Sequence, residues 1–196
     1  MSHENQTIAE LLSRIASEHV APAGGTAAAI VGAIGAALCE MTCIHTVNKR
    51  GSEGESADLA TVGDDLRRQR AHLLRLADTD ASVVDDLFSG PDGEMDQSEI
   101  KRSVGVPLTI ANACLDVLNL AIAVTENGDK NAVFDAGTGV CLAHSALRAS
   151  VFTVRSNVDQ VAEPSFVSKV ERRVAEIAES GDESYRQAME NIEKRT

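Results

Sequence analysis

A chain of 196 residues can bury one sizeable core, and its 30 Asp and Glu against 18 Lys and Arg give a formal net charge of -12. That balance argues against a groove tracking nucleic-acid phosphates, and one Tyr, four Phe and no Trp leave no stacking platform for single strands. The apolar 43% is mostly Ala, Val, Leu and Ile, without the β-branched and aromatic alternation that a large sandwich needs.

In chain order, Thr7-Ile8-Ala9-Glu10 has the spacing of a capping box, and Ile8, Leu11, Leu12 and Ile15 follow at helical intervals, which predicts a first amphipathic helix to about Glu18. Residues His19 to Gly25 break it. A second helix is expected from near Thr26 to about Val47, with small residues at Ala28, Gly32 and Ala36 and at Ala29, Ala33 and Ala37. Glycine is costly inside a helix, so Gly32 and Gly35 predict that another backbone comes very close. The longest apolar run, Ala27 to Cys39, is 13 residues and meets Glu40, short for a membrane span.

After a polar loop over Asn48 to Ser56, Leu59, Val62, Leu66, Leu73, Leu76, Val83 and Leu87 form one stripe of a third helix that ends before Ser89-Gly90-Pro91-Asp92-Gly93. Asp80 falls on the same stripe. A fourth helix spans about Ser98 to Thr125, kinked at Pro107 and stopped by Asn127-Gly128-Asp129. The fifth, about Asn131 to Val158, is apolar nearly all round and must be buried on several sides. Pro164 opens a sixth with Phe166, Val170, Val174 and Ile177, followed by a charged tail. Six helices joined by short loops predict an all-α, single-domain bundle over residues 1–196. Helices 2 and 5 carry more apolar surface than one such bundle encloses, which predicts a homodimer.

Several groups could carry chemistry. Pro22-Ala23-Gly24-Gly25-Thr26 before a helix bares backbone N–H groups, with Thr26 as cap; it is either an anion site or a plain turn before a tightly packed helix. Asp80 points inward among leucines and valines, so it is either paired with an inward Arg such as Arg148 or Arg155, or functional. Asp135 near the start of the fifth helix either compensates its dipole or takes part in chemistry. Lys49 and Arg50 are a solvated pair or line a cleft. His144 reads as a hydrogen-bonded core residue rather than a base. Cys39, Cys43, Cys114 and Cys141 read as buried, reduced thiols. Cys39 and Cys43 share a helix face near His45 but lack the three or four converging ligands of a closed metal site. No Ser or Cys shows a nucleophilic triad.

Taken together, Pro22-Ala23-Gly24-Gly25-Thr26-Ala27-Ala28, Gly32-Ala33-Ile34-Gly35-Ala36-Ala37-Leu38 and Met41 resemble the opening of the cyclodeaminase/cyclohydrolase family. That family includes the C-terminal domain of formiminotransferase-cyclodeaminase and stand-alone methenyltetrahydrofolate cyclohydrolases. The resemblance continues through Asn48-Lys49-Arg50, Asp78-Thr79-Asp80-Ala81, Val106-Pro107-Leu108 and Asp135-Ala136-Gly137 to Asp159 and Glu163-Pro164-Ser165-Phe166. The family's usual three glycines and serine after the proline are here Ala23, Gly24, Gly25 and Thr26, and its usual Ser-Asp is Phe134-Asp135.

The resemblance implies an all-helical homodimer that acts on a tetrahydrofolate one-carbon derivative without metal or redox cofactor. Methenyltetrahydrofolate carries a delocalised cation, which a carboxylate stabilises, and a carboxylate or imidazole can take a proton from attacking water; Asp80 and Asp135 are the candidates. Lys49, Arg50 and the Gly24-Gly25-Thr26 turn are candidates for holding the anionic glutamate tail. Hydrolysis to 10-formyltetrahydrofolate is the first expectation, formiminotetrahydrofolate cyclodeamination the second, and a non-catalytic folate-binding or scaffold dimer the third. Neither nucleic acid nor membrane is expected as a partner.

Acids spread along the whole chain, and 13 of the 18 cations are Arg. With no apolar stretch in Met1 to Gln6, this pattern fits a salt-adapted cytoplasmic protein, whose acidic surface stays soluble where screening is strong. Its melting temperature is expected to rise from low to multimolar KCl; no gain with salt would refute the salt-adapted reading.

Overall fold

The computed structural model describes residues 6–50, 55–88 and 96–195. Its elements are α1 (Ile8–Ile15), α2 (Gly24–Arg50), α3 (Glu55–Phe88), α4 (Gln97–Asn127), α5 (Val133–Val158) and α6 (Pro164–Glu193), an all-α fold. The expected stop at Ser89 to Gly93 and most of the Asn48 to Ser56 loop lie outside the described residues or inside helix ends. Helix α2 starts two residues before Thr26 and runs three past Val47.

The capping box forms as its spacing requires. The Thr7 hydroxyl accepts from the Glu10 N–H at 3.2 Å, and Glu10 Oε2 accepts from the Thr7 N–H at 2.8 Å. Helix α1 is shorter than expected, ending where Ser17 Oγ turns back to the Arg14 carbonyl, and none of its residues is buried. Helix α4 runs on through Pro107 and stops where the Gly128 N–H closes on the Val124 carbonyl. Pro164 occupies the first turn of α6. The segment expected as a charged tail is helix: α6 continues to Glu193 because Gly181, Ser184, Ala188 and Ile192 keep one face buried while the charges face outward.

Helix α2 packs between α3 and α5, α4 lies against α3 and α5, and α6 covers α4 and α5. The core they share is aliphatic: alanines and cysteines of α2, Leu66 and Leu73 of α3, Ile110 and Leu118 of α4, Val140 and Leu147 of α5, and Ile177 of α6. Small residues on α2 let its neighbours approach at backbone distance. A Cβ on Gly35 would lie 2.7 Å from the Gly139 carbonyl oxygen of α5, and a Cβ on Gly139 would meet the Gly35 oxygen equally closely. At Gly32 the intruder is a side chain, with Cys114 Sγ at 2.7 Å from the same construction.

Helices α2 and α4 are long and apolar enough to cross a membrane by length and composition, because the 13-residue run lies within a 27-residue helix; 56% of the most apolar stretch of each is buried against other helices. The charge that interrupts the run is also satisfied inside the fold. Glu40 Oε1 accepts from Arg67 Nε and Oε2 from Arg70 Nε, both at 2.9 Å. Burial pushes the Glu40 carboxyl up, but hydrogen bonds and charge from Arg70 and Arg67 outweigh it and hold it below its ordinary value. Cys39, Cys43 and Cys114 are buried as expected, and burial raises each thiol to about 12. Cys141 is exposed, contrary to expectation, at the rim of the α5–α6 seam, where its Sγ lies 3.9 Å from the Tyr185 hydroxyl.

The two kinds of helical glycine predict opposite effects. Gly35→Ala forces a Cβ into the α5 backbone and should destabilise by about 1–3 kcal/mol. Gly105→Ala on α4 meets nothing within 4 Å and should stabilise by about 1 kcal/mol through helix propensity. Urea unfolding of both variants checks this; equal effects would contradict the close α2–α5 crossing.

Candidate active site

Asp80 points inward from α3, as its stripe predicts, and is 4% exposed. Its partner is not an arginine, for Arg148 pairs with Asp182 on α6. The Asp80 carboxylate instead sits on the first turn of α2, where Oδ2 accepts from the Thr26 hydroxyl at 2.8 Å and the carboxylate also accepts from the Thr26 backbone N–H. Helix α2 has no acidic residue in its own first turn, so Asp80 supplies the negative charge that a helix N-terminus favours. Thr26 is therefore a donor to Asp80 and not the cap expected of it. Gly25 is required by the same arrangement: a Cβ there would run into Asp80 Oδ1 and lie 2.8 Å from Cγ.

The glycine turn is thus an anion site already filled by a carboxylate of the chain itself. Beside it opens a cavity of about 510 Å³ between the N-terminus of α2 and parts of α3, α4 and α5. Val20, Val83, Val84 and Leu87 form apolar walls, and Asp80, Ser103, Asn157 and Gln160 provide the main polar groups; among the described residues no Lys or Arg lines it. Gly24, Gly25 and Thr26 thus stand beside Asp80 and apart from Lys49 and Arg50, the other residues expected to hold the anionic tail. Burial pushes the Asp80 carboxyl above its ordinary value, against the hydroxyl and N–H of Thr26 that favour its charged form. A carboxylate so placed has raised basicity and faces an apolar space, a combination suited to proton transfer and to stabilising a cation.

Lys49, Arg50 and Asp135 lie elsewhere. Helix α2 carries Gly25 at one end and Lys49 at the other, a separation of about 36 Å at 1.5 Å per residue. Lys49 Nζ donates to Asp129 Oδ2 at 2.5 Å, and Arg50 donates to the Asn127 carbonyl at 2.9 Å. The Lys49 ammonium and the Asn131 N–H hold the Asp129 carboxyl below its ordinary value. A second cavity of about 530 Å³ opens there, lined by His45, Asn48, Lys49, Asp129, Asn131, Ala132 and Asp135. Asp135 is exposed in the first turn of α5, near the positive helix end. Within one chain, then, Asp80 joins the glycine turn and Asp135 joins Lys49, but the two aspartates do not meet.

Asp129, Ser103 and Asn157 escaped the sequence reading. The first was visible only as part of the Asn-Gly-Asp stop, and the other two carry no motif. His144 is half-buried on the α5–α6 seam, with Nε2 2.7 Å from Asp182 Oδ1 and its ring stacked on Tyr185 at 4.5 Å, in keeping with a hydrogen-bonded structural histidine. Among the described residues, no three His, Cys, Asp or Glu side chains are grouped so as to hold a metal ion.

The raised Asp80 value has a stability consequence. Above that value the buried charge is a cost to the folded state, and the cost disappears as pH falls through it and the carboxyl is protonated. Asp80→Asn should therefore melt at or above the wild-type temperature at pH 7, with the two curves converging on acidification. A wild type that is the more stable at pH 7 and loses that lead in acid would contradict the raised value.

The family model described as formiminotransferase-cyclodeaminase matches residues 7–176. A methenyltetrahydrofolate cyclohydrolase of Methylorubrum extorquens is 32% identical over 177 residues, covering 84% of this chain and 85% of the relative. The crystal structure of a formiminotetrahydrofolate cyclodeaminase from Thermotoga maritima superposes with a TM-score of 0.90 at 22% identity, over 97% of this chain and 98% of that one, and so shares the fold. With a sequence match over most of its length and a shared architecture, the chain belongs to the formiminotransferase-cyclodeaminase family.

Proposed function

We propose that this protein hydrolyses 5,10-methenyltetrahydrofolate to 10-formyltetrahydrofolate. The observation that carries the reading is the buried Asp80 carboxylate beside a largely apolar cavity, and the similarity to a methenyltetrahydrofolate cyclohydrolase supports it. The substrate's positive charge is shared by N5, the bridging carbon and N10, and a carboxylate in an apolar wall stabilises such a cation far better than water does. As water adds to the bridging carbon, Asp80 takes one of its protons. It then returns that proton to N5 as the carbon–N5 bond breaks. The second water proton leaves to solvent as the carbonyl of the N10-formyl group forms, so the cationic substrate and water yield a neutral formamide and one proton. Thr26 keeps Asp80 in place throughout, since its hydroxyl and N–H both donate to the carboxylate.

We further infer that the working unit is a homodimer across the outward side of α2 and α5. Ile34 and Ile44 of α2 and Phe134 and Phe152 of α5 are large apolar side chains left exposed, with Ile30, Leu38, Met41 and Leu142 half-buried beside them. Between Thr26 and Asn48 the sole charge is Glu40, which faces α3. On a chain of net charge -12, an uncharged apolar strip of this length fits a subunit contact better than a solvated face. The strip is centred near Ala37. A two-fold axis there sets two α2 helices antiparallel and brings Lys49 and Arg50 of the partner subunit towards Gly25 and Asp80, giving the acidic cavity the cations that an anionic tail requires. Asp135 arrives from the same end of the partner subunit.

The test is the decay of methenyltetrahydrofolate absorbance with purified protein. The wild type should exceed the spontaneous rate and Asp80→Asn should lose about 100-fold or more of the enhancement. Ammonia release from formiminotetrahydrofolate with no hydrolysis would replace the proposed reaction by cyclodeamination. Sedimentation at micromolar concentration should give twice 20.7 kDa; a clean monomer would refute the two-subunit site.

A further inference from the structure

Pro107 lies inside α4, and a proline there has no N–H for the carbonyl four residues earlier, which belongs to Ser103. A carbonyl released in this way must find another donor when buried. It does so on a different helix: Asn157 Nδ2 of α5 donates to the Ser103 oxygen at 2.8 Å. Because a carbonyl only accepts, this bond fixes which end of the Asn157 amide is nitrogen and leaves Oδ1 as an acceptor. Asn157 and Ser103 both line the Asp80 cavity. The Ser103 hydroxyl has used its proton on the Ile100 carbonyl at 2.9 Å, so it too offers lone pairs.

The acceptors on the polar side of the cavity are the Asp80 carboxylate, Asn157 Oδ1 and Ser103 Oγ, with the Gln160 amide beside them. An anionic aryl-glutamate tail is repelled by such a set. A flat ring with a row of N–H donors fits it, and within a tetrahydrofolate that is the reduced pterin, whose faces would lie against Val83, Val84 and Leu87.

We propose that Asn157 is a substrate-positioning residue, oriented by the Ser103 carbonyl that Pro107 leaves free, and that its amide oxygen accepts from the N–H edge of the pterin ring. The inference rests on the proposed folate reaction and deepens it. Pro107 then has a purpose beyond bending a helix: its missing N–H sets a side chain on α5.

Calorimetric binding of 6-methyltetrahydropterin and of p-aminobenzoylglutamate tests it with four proteins: wild type, Asn157→Ala, Pro107→Ala and the double variant, each checked for cooperative melting. Asn157→Ala should weaken tetrahydropterin binding about ten-fold, the loss of one buried hydrogen bond, and leave p-aminobenzoylglutamate within two-fold. Pro107→Ala restores an N–H that competes for the Ser103 carbonyl, so it should show part of the same loss. The double variant should be no weaker than Asn157→Ala alone, because the proline acts through the asparagine. A purely structural role would give additive losses on both probes, and that result overturns the proposal, as does tetrahydropterin binding that none of the substitutions alters or that the wild type lacks. If the wild type fails to hydrolyse methenyltetrahydrofolate but shows the predicted binding pattern, the reaction falls and the positioning role stands. If hydrolysis is found while Asn157→Ala binds as the wild type does, the positioning role alone falls.

Discussion

A carboxylate held against the first turn of a helix, away from water, is the constraint on which the rest of this molecule depends. Asp80 is kept there by the hydroxyl and N–H of Thr26, and the contact leaves no room for a side chain at position 25. The positive end of α2 offsets part of the cost of burying the charge, and burial still leaves the carboxyl more basic than usual. Stability alone does not call for such a group, since an apolar residue at position 80 would continue the stripe of Leu76 and Val83. The arrangement is intelligible as a site where structural cost is retained for chemistry.

Charge is divided with the same economy. The chain is acidic, the core is aliphatic, and several of the few cations are tied to carboxylates, as Arg67 and Arg70 are to Glu40 and Lys49 is to Asp129. Among the described residues, the Asp80 cavity has no cation of its own. For an anionic folate this is half a site, complementary to the substrate's cationic centre and its N–H donors but not to its tail. The other half of the proposed site, Lys49 with Arg50 and Asp135, stands near the far end of α2. The proposed antiparallel pairing of two α2 helices would account for both the split site and the uncharged apolar strip between its halves, which is why one proposal about assembly also bears on catalysis.

Much of the fold was legible in the sequence because helical periodicity, caps and breakers are local. The capping box at Thr7, the stop at Gly128 and the start at Pro164 all stand where those residues place them. Errors arose where small residues carried the burial. The far half of α6 looked like a charged tail because its buried side is Gly181, Ser184 and Ala188, not leucines, and Gly24-Gly25 looked like a turn although it forms the first turn of α2. Gly35 did announce a backbone contact, but its partner, Gly139 of α5, has no local signature. Asp80 could be seen as buried and unusual from its stripe alone. That it meets Thr26, 54 residues away, and that Asp135 stays apart from it, follow from how α2, α3 and α5 pack, which no spacing along the chain encodes.

The central claim is that Asp80 faces the reacting part of a folate. The structure of the protein with a bound, stable 5-formyltetrahydrofolate tests it most directly. The account predicts the pterin ring in the cavity bordered by Val83, Leu87 and Asn157, with the one-carbon substituent next to the Asp80 carboxylate and the glutamate tail leading towards Lys49 and Arg50 of a second subunit. A folate seated in the Lys49–Asp135 cavity of a single chain, with the Asp80 cavity unvisited, would contradict it.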